Sequence, residues 1–156
     1  MSQENVEVVR RYYEATQRAF VAYWEDPRPA AEALEAGDIS PEAVEMTRFL
    51  HPNAEWKTAL TGITYRGYSD MARGFDQLVD AAQTYRVEVQ EVTPHGSDRV
   101  LAVVEAAMKG TASGIDVRST IFVVVTVRNG LITRMDEFIE RGDAPWSRVA
   151  SASRAG

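Results

Sequence analysis

The chain contains no cysteine. That absence excludes disulfides, thiolate nucleophiles and cysteine-zinc sites together, and it is neutral about compartment. Histidine is nearly as scarce: His51 and His95 are the only two, in the loop contexts "LHPN" and "PHGS". With no third ligand near either, no metal and no cofactor is expected. Clusters of Lys and Arg are missing too. With 23 acidic residues against 17 basic ones the net charge is −6, which disfavours a nucleic-acid partner. No apolar run approaches the ~18 residues a membrane helix requires. The N-terminal "MSQENVEVVRRYYEA" is charged throughout and has no apolar signal core. A cytoplasmic protein without a membrane partner is the expectation.

What is present fits one globular domain. The 156 residues are 45% hydrophobic and 26% charged, ordinary values for a chain able to build a core without covalent staples. From Gln3 to Trp24, apolar residues at spacings of three and four predict a helix with one wide buried stripe. "EDPRP" ends it, since Pro27 and Pro29 lack N–H donors and fix the backbone. "AAEALEAG" predicts a short helix closed by Gly37. Ser40 is an N-cap candidate with Pro41 at the first helical position of the next helix. After "HPN" a strand is expected over 54–60, then a helix capped by Ser69 or Asp70. The remainder reads as an antiparallel meander: 84–92, 99–110, 116–127 and the final strand after "RNG".

Two strands say more. In "IFVVVTV" (121–127) both faces are apolar. Helices can cover one sheet face, so the other calls for a cover, and a homodimer through the sheet face is the expectation. In "GLITRMDEFIE" (130–140), strict alternation puts Leu131, Thr133, Met135, Glu137 and Ile139 on one face. Ile132, Arg134, Asp136, Phe138 and Glu140 take the other. Asp136 and Glu137 therefore cannot act as a pair, and Glu137 is a lone carboxylate on a mostly apolar face.

The order "VVRRYYEA", "FLHPNAEWKTAL", "YRGYSDM" and "VRNGLITRMDEFIER" resembles the nuclear transport factor 2-like superfamily, in its SnoaL-like (polyketide cyclase or ketosteroid-isomerase-like) branch. The resemblance spans roughly residues 3–24 and 38–141. It implies an α+β fold: a curved antiparallel sheet wrapped around N-terminal helices to form a cone-shaped pocket. Residues 1–141 form the single domain, with 25–37 an insertion, either a lid over the pocket or a surface elaboration. Residues 142–156, small and polar apart from Trp146, read as a mobile tail.

Such folds host several chemistries, so the residues have to be tested singly. Ketosteroid isomerase needs a carboxylate base, a tyrosine and a protonated aspartic acid. The resemblance places the tyrosine at Tyr12, but Thr58 stands at the base position and Val123 at the second donor. The epoxide hydrolases of this fold use two acids bridged by an arginine. The resemblance places one acid at Glu137, but the other acid and the arginine fall near Ala106 and Val104, and the water-holding pair near Trp56 and Thr58. A one-residue slip would substitute Glu105, at the expense of the whole strand's alternation. Both constellations are incomplete.

Glu137 and Tyr12 remain as candidate catalytic groups. By register Tyr12, Trp56, Thr58, Ala106, Met108, Ser119, Ile121, Met135 and Glu137 are expected to line a largely apolar pocket for a small apolar molecule. Two readings stay open: acid–base catalysis of an isomerase, cyclase or hydrolase type, or a non-catalytic dimeric module that binds a hydrophobic ligand.

Overall fold

Helix α1 (Ser2–Glu25) forms because its apolar residues fall on one broad stripe. Val6, Val9, Tyr12, Tyr13, Thr16 and Phe20 are buried along it. Its 24 residues make it the spine of the helical layer. The computed structural model describes residues 2–59, 61–80, 82–110 and 116–139. The expected turn at 111–115 and the tail 142–156 with Trp146 lie outside these residues.

Beyond the two prolines, α2 (Ala30–Glu35) ends in a Schellman turn. Gly37 takes the left-handed conformation at φ +69°, its N–H donates to the Leu34 carbonyl (3.1 Å), and the Asp38 N–H donates to that of Ala33 (2.8 Å). In α3 (Pro41–Thr47) the Ser40 hydroxyl accepts the Ala43 N–H at 3.2 Å, with Pro41 at the first helical position. Helix α4 (Gly67–Asp80) starts ahead of the expected caps: Asp70 reaches back to accept the Arg66 N–H at 3.2 Å.

Six strands form one curved, unclosed sheet: β1 (Leu50–Lys57), β2 (Thr64–Arg66), β3 (Ala82–His95), β4 (Arg99–Gly110), β5 (Asp116–Arg128) and β6 (Leu131–Phe138), in the order β2-β1-β6-β5-β4-β3. The α+β architecture is the expected one, with a correction in pairing: β1 runs parallel to β6. Hairpins enforce antiparallel pairing only between strands that follow each other, and β1 meets β6 after the whole intervening chain. β1 also begins four residues before the expected start. His51, Pro52 and Asn53 belong to it, in a stretch where the register jumps between Leu50 and Glu55. Pro52 therefore removes no ladder hydrogen bond, and His51 Nδ1 accepts the Asn53 N–H at 3.0 Å.

The last strand corrects the strict alternation. Thr126 pairs with Arg134 but Val127 pairs with Ile132, so Thr133 is an extra residue, a β-bulge. Upstream of it the faces exchange: Ile132 is fully buried in the core. Downstream they follow the alternation, with Met135 and Glu137 on the concave face and Arg134, Asp136 and Phe138 on the convex one. The edge strand β3 is sealed by α1: Gln17 accepts the Val87 N–H at 2.7 Å and the Trp24 indole donates to the Tyr85 carbonyl at 3.4 Å.

Candidate functional site

Between the four helices and the concave sheet face lies a cavity of about 510 Å³. Its far wall is aromatic. Phe20 stacks on Phe75 at 4.8 Å between ring centres and meets Tyr85 at 4.9 Å, while Tyr23 meets Phe75 edge-on at 5.7 Å. The floor is set by β1, β5 and β6, through Trp56, Ile121, Met135 and Glu137.

Glu137 is the one carboxylate of the floor, and both of its oxygens have partners. The Trp56 indole N–H donates to Oε2 at 2.9 Å and the Ala59 backbone N–H to Oε1 at 3.2 Å. The residue as a whole is partly exposed, but its carboxyl end is the enclosed part. Burial raises its pKa above the ordinary 4.5, and the bonds from Trp56 and Ala59 offset part of that rise. The Ala59 donor is held by a tight turn, in which the Thr58 N–H donates to the Ile63 carbonyl (3.0 Å) and the Thr58 hydroxyl lies 2.7 Å from that of Thr61.

Trp56 in turn depends on a glycine. A Cβ at Gly74, in the middle of α4, would stand 2.9 Å from the Trp56 ring and 3.0 Å from that of Tyr65. The helix can lie this close to the sheet only without a side chain there. Tyr65 is fixed besides by donating to the Gln77 amide oxygen at 2.6 Å.

Three buried tyrosines face the same space. Burial pushes the Tyr12 phenol up to about 12, hydrogen bonding to Thr16 lowers it in part, and the Glu137 charge raises it. Tyr13 is raised well above its ordinary value, first by burial and then by the charges of Tyr12, Glu137 and Tyr85. Tyr85 is raised by burial and by Glu137. All three stay protonated through the physiological range, as donors.

Of the residues expected at the wall, Tyr12, Trp56, Thr58, Ile121, Met135 and Glu137 line the cavity, whereas Ala106, Met108 and Ser119 do not. Ala106 is core and Met108 packs against that core. Ser119 pairs across from Ala106. Register assigns these three a face but not a position along it, and the cavity ends short of them. Val123 is buried in the sheet and offers no donor. Glu105 pairs with Arg118 at 3.1 Å, away from the cavity, so the slip that would have supplied a second acid does not occur. Among the described residues no bridging arginine replaces it: Arg134 grips Asp136 at 2.8 and 3.0 Å, and also Glu55, on the convex face. Among the described residues no group of three His, Asp or Glu side chains gathers to hold a metal.

The sequence reading missed Tyr13, Tyr85, Gly74 and most of the mouth. Tyr85 had a signal, since it alternates inward with Val87 and Val89 on β3. The mouth is built from the segment that follows α1: Asp26, Arg28, Ala33, Leu34 and Asp38 all line it. Arg28 ties the segment's ends together through Asp38 (2.6 Å) and Asp26 (3.9 Å). Asp76 of α4 anchors its middle, its two oxygens accepting the Ala30 and Ala31 N–H groups at 2.6 and 3.0 Å.

The sequence profile of the SnoaL-like domain matches residues 9–135. No curated protein matches the chain. Among solved structures, a protein provisionally named a SnoaL-like polyketide cyclase from Jannaschia sp. CCS1 superposes with a TM-score of 0.65 at 16% identity, covering 88% of this chain and 85% of that one. TerC, co-crystallised with polyporic acid, superposes at 0.62 with 17% identity over 96% of each chain. An NTF2-like protein of unknown function from Burkholderia pseudomallei K96243 gives 0.61 at 14% identity over 90% and 93%. At these identities the likeness is one of fold.

Proposed function

The chain belongs to the SnoaL-like domain family, and from that premise we propose that it carries out acid–base chemistry on a small, largely apolar molecule, with Glu137 as the proton carrier. One observation carries this reading: a carboxyl whose pKa is raised by burial stands on the floor of an aromatic-walled cavity. Raised toward neutrality, a carboxyl can both take and return a proton at the operating pH. Proton transfer of an isomerase or cyclase kind suits a single acid; hydrolysis with two acids and a bridging arginine does not, since the cavity floor presents one carboxyl, Glu137, and the other acids lining the cavity, among them Asp26 and Asp38, come from the helical side. We place the reaction in the cytoplasm and in a homodimer formed through the convex sheet face, where Val124 sits among Leu101, Phe122 and Phe138. Among the described residues no helix is long and apolar enough to cross a membrane.

A non-catalytic binding module is the second reading. The observation favouring it is that both Glu137 oxygens are already engaged by Trp56 and Ala59, as in a carboxylate kept for structure. Exchange of the α-protons of 2-tetralone in D₂O, followed by NMR, separates the two. The catalytic reading expects the wild type to accelerate exchange and Glu137→Gln to lose on the order of 10²-fold or more of that acceleration, with binding of the ketone retained. Equal rates in the two proteins would favour the binding module.

A further inference from the structure

Helix α2 stands over the cavity without belonging to the core. Its Ala33 and Leu34 line the cavity, yet none of its six residues is buried and none packs on the hydrophobic core. Helix α3 has no buried residue either, but its Met46 packs on that core. The main neighbour of α2 is α4, whereas α3 leans on α1 and β1. The two short helices covering the cavity are thus held from opposite sides. The other walls are fastened. The floor is a hydrogen-bonded sheet, and α1 is tied to its edge strand through Gln17 and Trp24. Helix α4 lies against Trp56 through Gly74 and is joined to β2 by Tyr65 and Gln77. Parting any of these would expose core side chains to water, at a cost that grows with the apolar area uncovered. The path of least resistance into the cavity runs past α2.

The chain around α2 is arranged to move as a unit. Arg28 and Asp38 join across its base at 2.6 Å, so residues 28–38 make a closed loop of chain. Its middle hangs on one side chain, Asp76 of α4, whose two oxygens accept the Ala30 and Ala31 N–H groups. Swinging the loop away leaves the Arg28–Asp38 pair intact. It breaks the two bonds to Asp76, which water can replace, and lifts Ala33 and Leu34 off the cavity. A segment held so lightly opens locally while the rest of the protein stays folded.

We propose that residues 28–38 are a flap through which ligand enters and leaves the cavity, that Asp76 is its latch, and that an apolar ligand holds it shut. The last part follows from what α2 lacks. Ala33 and Leu34 line the same cavity as Phe20, Tyr23 and Phe75. An apolar molecule filling that space gives α2 the buried contact that the protein itself does not, and so favours the closed flap over the open one. This proposal rests on the cavity being a ligand site, as does the function proposed above, but not on proton transfer at Glu137.

Stopped-flow fluorescence with N-phenyl-1-naphthylamine, an uncharged aromatic probe that brightens in apolar surroundings, reads both rates. Asp76→Ala should raise association and dissociation by the same factor, about fivefold, and leave Kd unchanged, because a latch lies on the way in and on the way out. Loss of an ordinary wall contact would raise dissociation alone. Ala31→Cys combined with Asp76→Cys puts a disulfide where the latch was, and in a chain without cysteine it has no competing pair. The oxidised protein should take up and release the probe on the order of tenfold more slowly than the wild type, and reduction should bring the rates back to the wild-type value or above it. Saturating the wild type with probe should slow amide exchange in 30–35 by on the order of tenfold or more. Should the disulfide not form, Asp76→Ala and the exchange measurement still decide. A rise in dissociation alone overturns the latch, and exchange in 30–35 that ignores the probe overturns closure by ligand. Probe binding at rates that neither Asp76→Ala nor the disulfide alters overturns the flap and leaves the cavity as a ligand site; no binding of the probe overturns both.

Discussion

At Glu137, burial raises the carboxyl pKa while the Trp56 and Ala59 donors pull it down, and burial wins. A folded-state pKa above the ordinary 4.5 means the folded chain holds this proton more tightly than the unfolded one. The group's contribution to stability is then complete below about pH 4.5 and is lost as the pH rises through the raised value. Glutamine cannot titrate. The stability of the wild type minus that of Glu137→Gln, from urea unfolding at a series of pH values, should therefore fall as pH rises across that window and level off above it. A difference independent of pH would mean the carboxyl is not desolvated. The constant part of the difference reflects one lost donor pairing, about 1 kcal/mol, since an amide oxygen can serve Trp56 or Ala59 but its NH₂ cannot accept from the other.

Among the elements, α2 is held only weakly by packing: none of its six residues is buried, as is also true of α3. Its own N-cap, Pro29, supplies no side-chain acceptor, and Asp76 on α4 takes that role from 45 and 46 residues away. Asp76→Ala removes a cap worth about 1 kcal/mol, which for a locally opening segment means amide exchange in 30–35 about fivefold faster. Amides of α1 and β5 should be unaffected, and thermal unfolding should scarcely move. Uniform acceleration across the chain would show that α2 is part of the global core instead. The same contrast explains what could be read in advance. Ser40 followed by Pro41, Gly37 after "AAEALEA", and the alternation of β4 are local signals, and those elements stand where local signals put them. The bulge at Thr133, the register jump in β1 and the reach of Asp76 are decided by partners distant in sequence, and no local pattern reveals them. Glu137 was read onto its true face because it lies downstream of the bulge; Ile132, upstream, was not. Gly74 gave no signal at all, since an isolated glycine in a helical pattern looks like a tolerated weakness until the Trp56 ring beneath it is seen.

For the whole molecule, the convex sheet face carries an apolar cluster about Val124, bordered by the ion pairs that join Arg134 to Glu55 and Asp136. A second copy laid on this face would bury the apolar part, and the charged border would set its orientation. Leu101→Glu places a charge in that contact. Light scattering at tens of micromolar should give twice the chain mass for the wild type and the chain mass for the variant, with an unchanged near-ultraviolet spectrum. A monomeric wild type would refute the dimer. The two ends of the cavity, finally, differ in how freely they can evolve. The floor is a chain of dependencies, Gly74 to Trp56 to Glu137 to the turn at Ala59, in which each member fixes the next. The roof, residues 26–38, hangs from one aspartate and one arginine. On the proposed function, substitutions in residues 26–38 would change which molecules enter the cavity without disturbing Glu137 beneath, so ligand choice and the acid's setting could be altered independently.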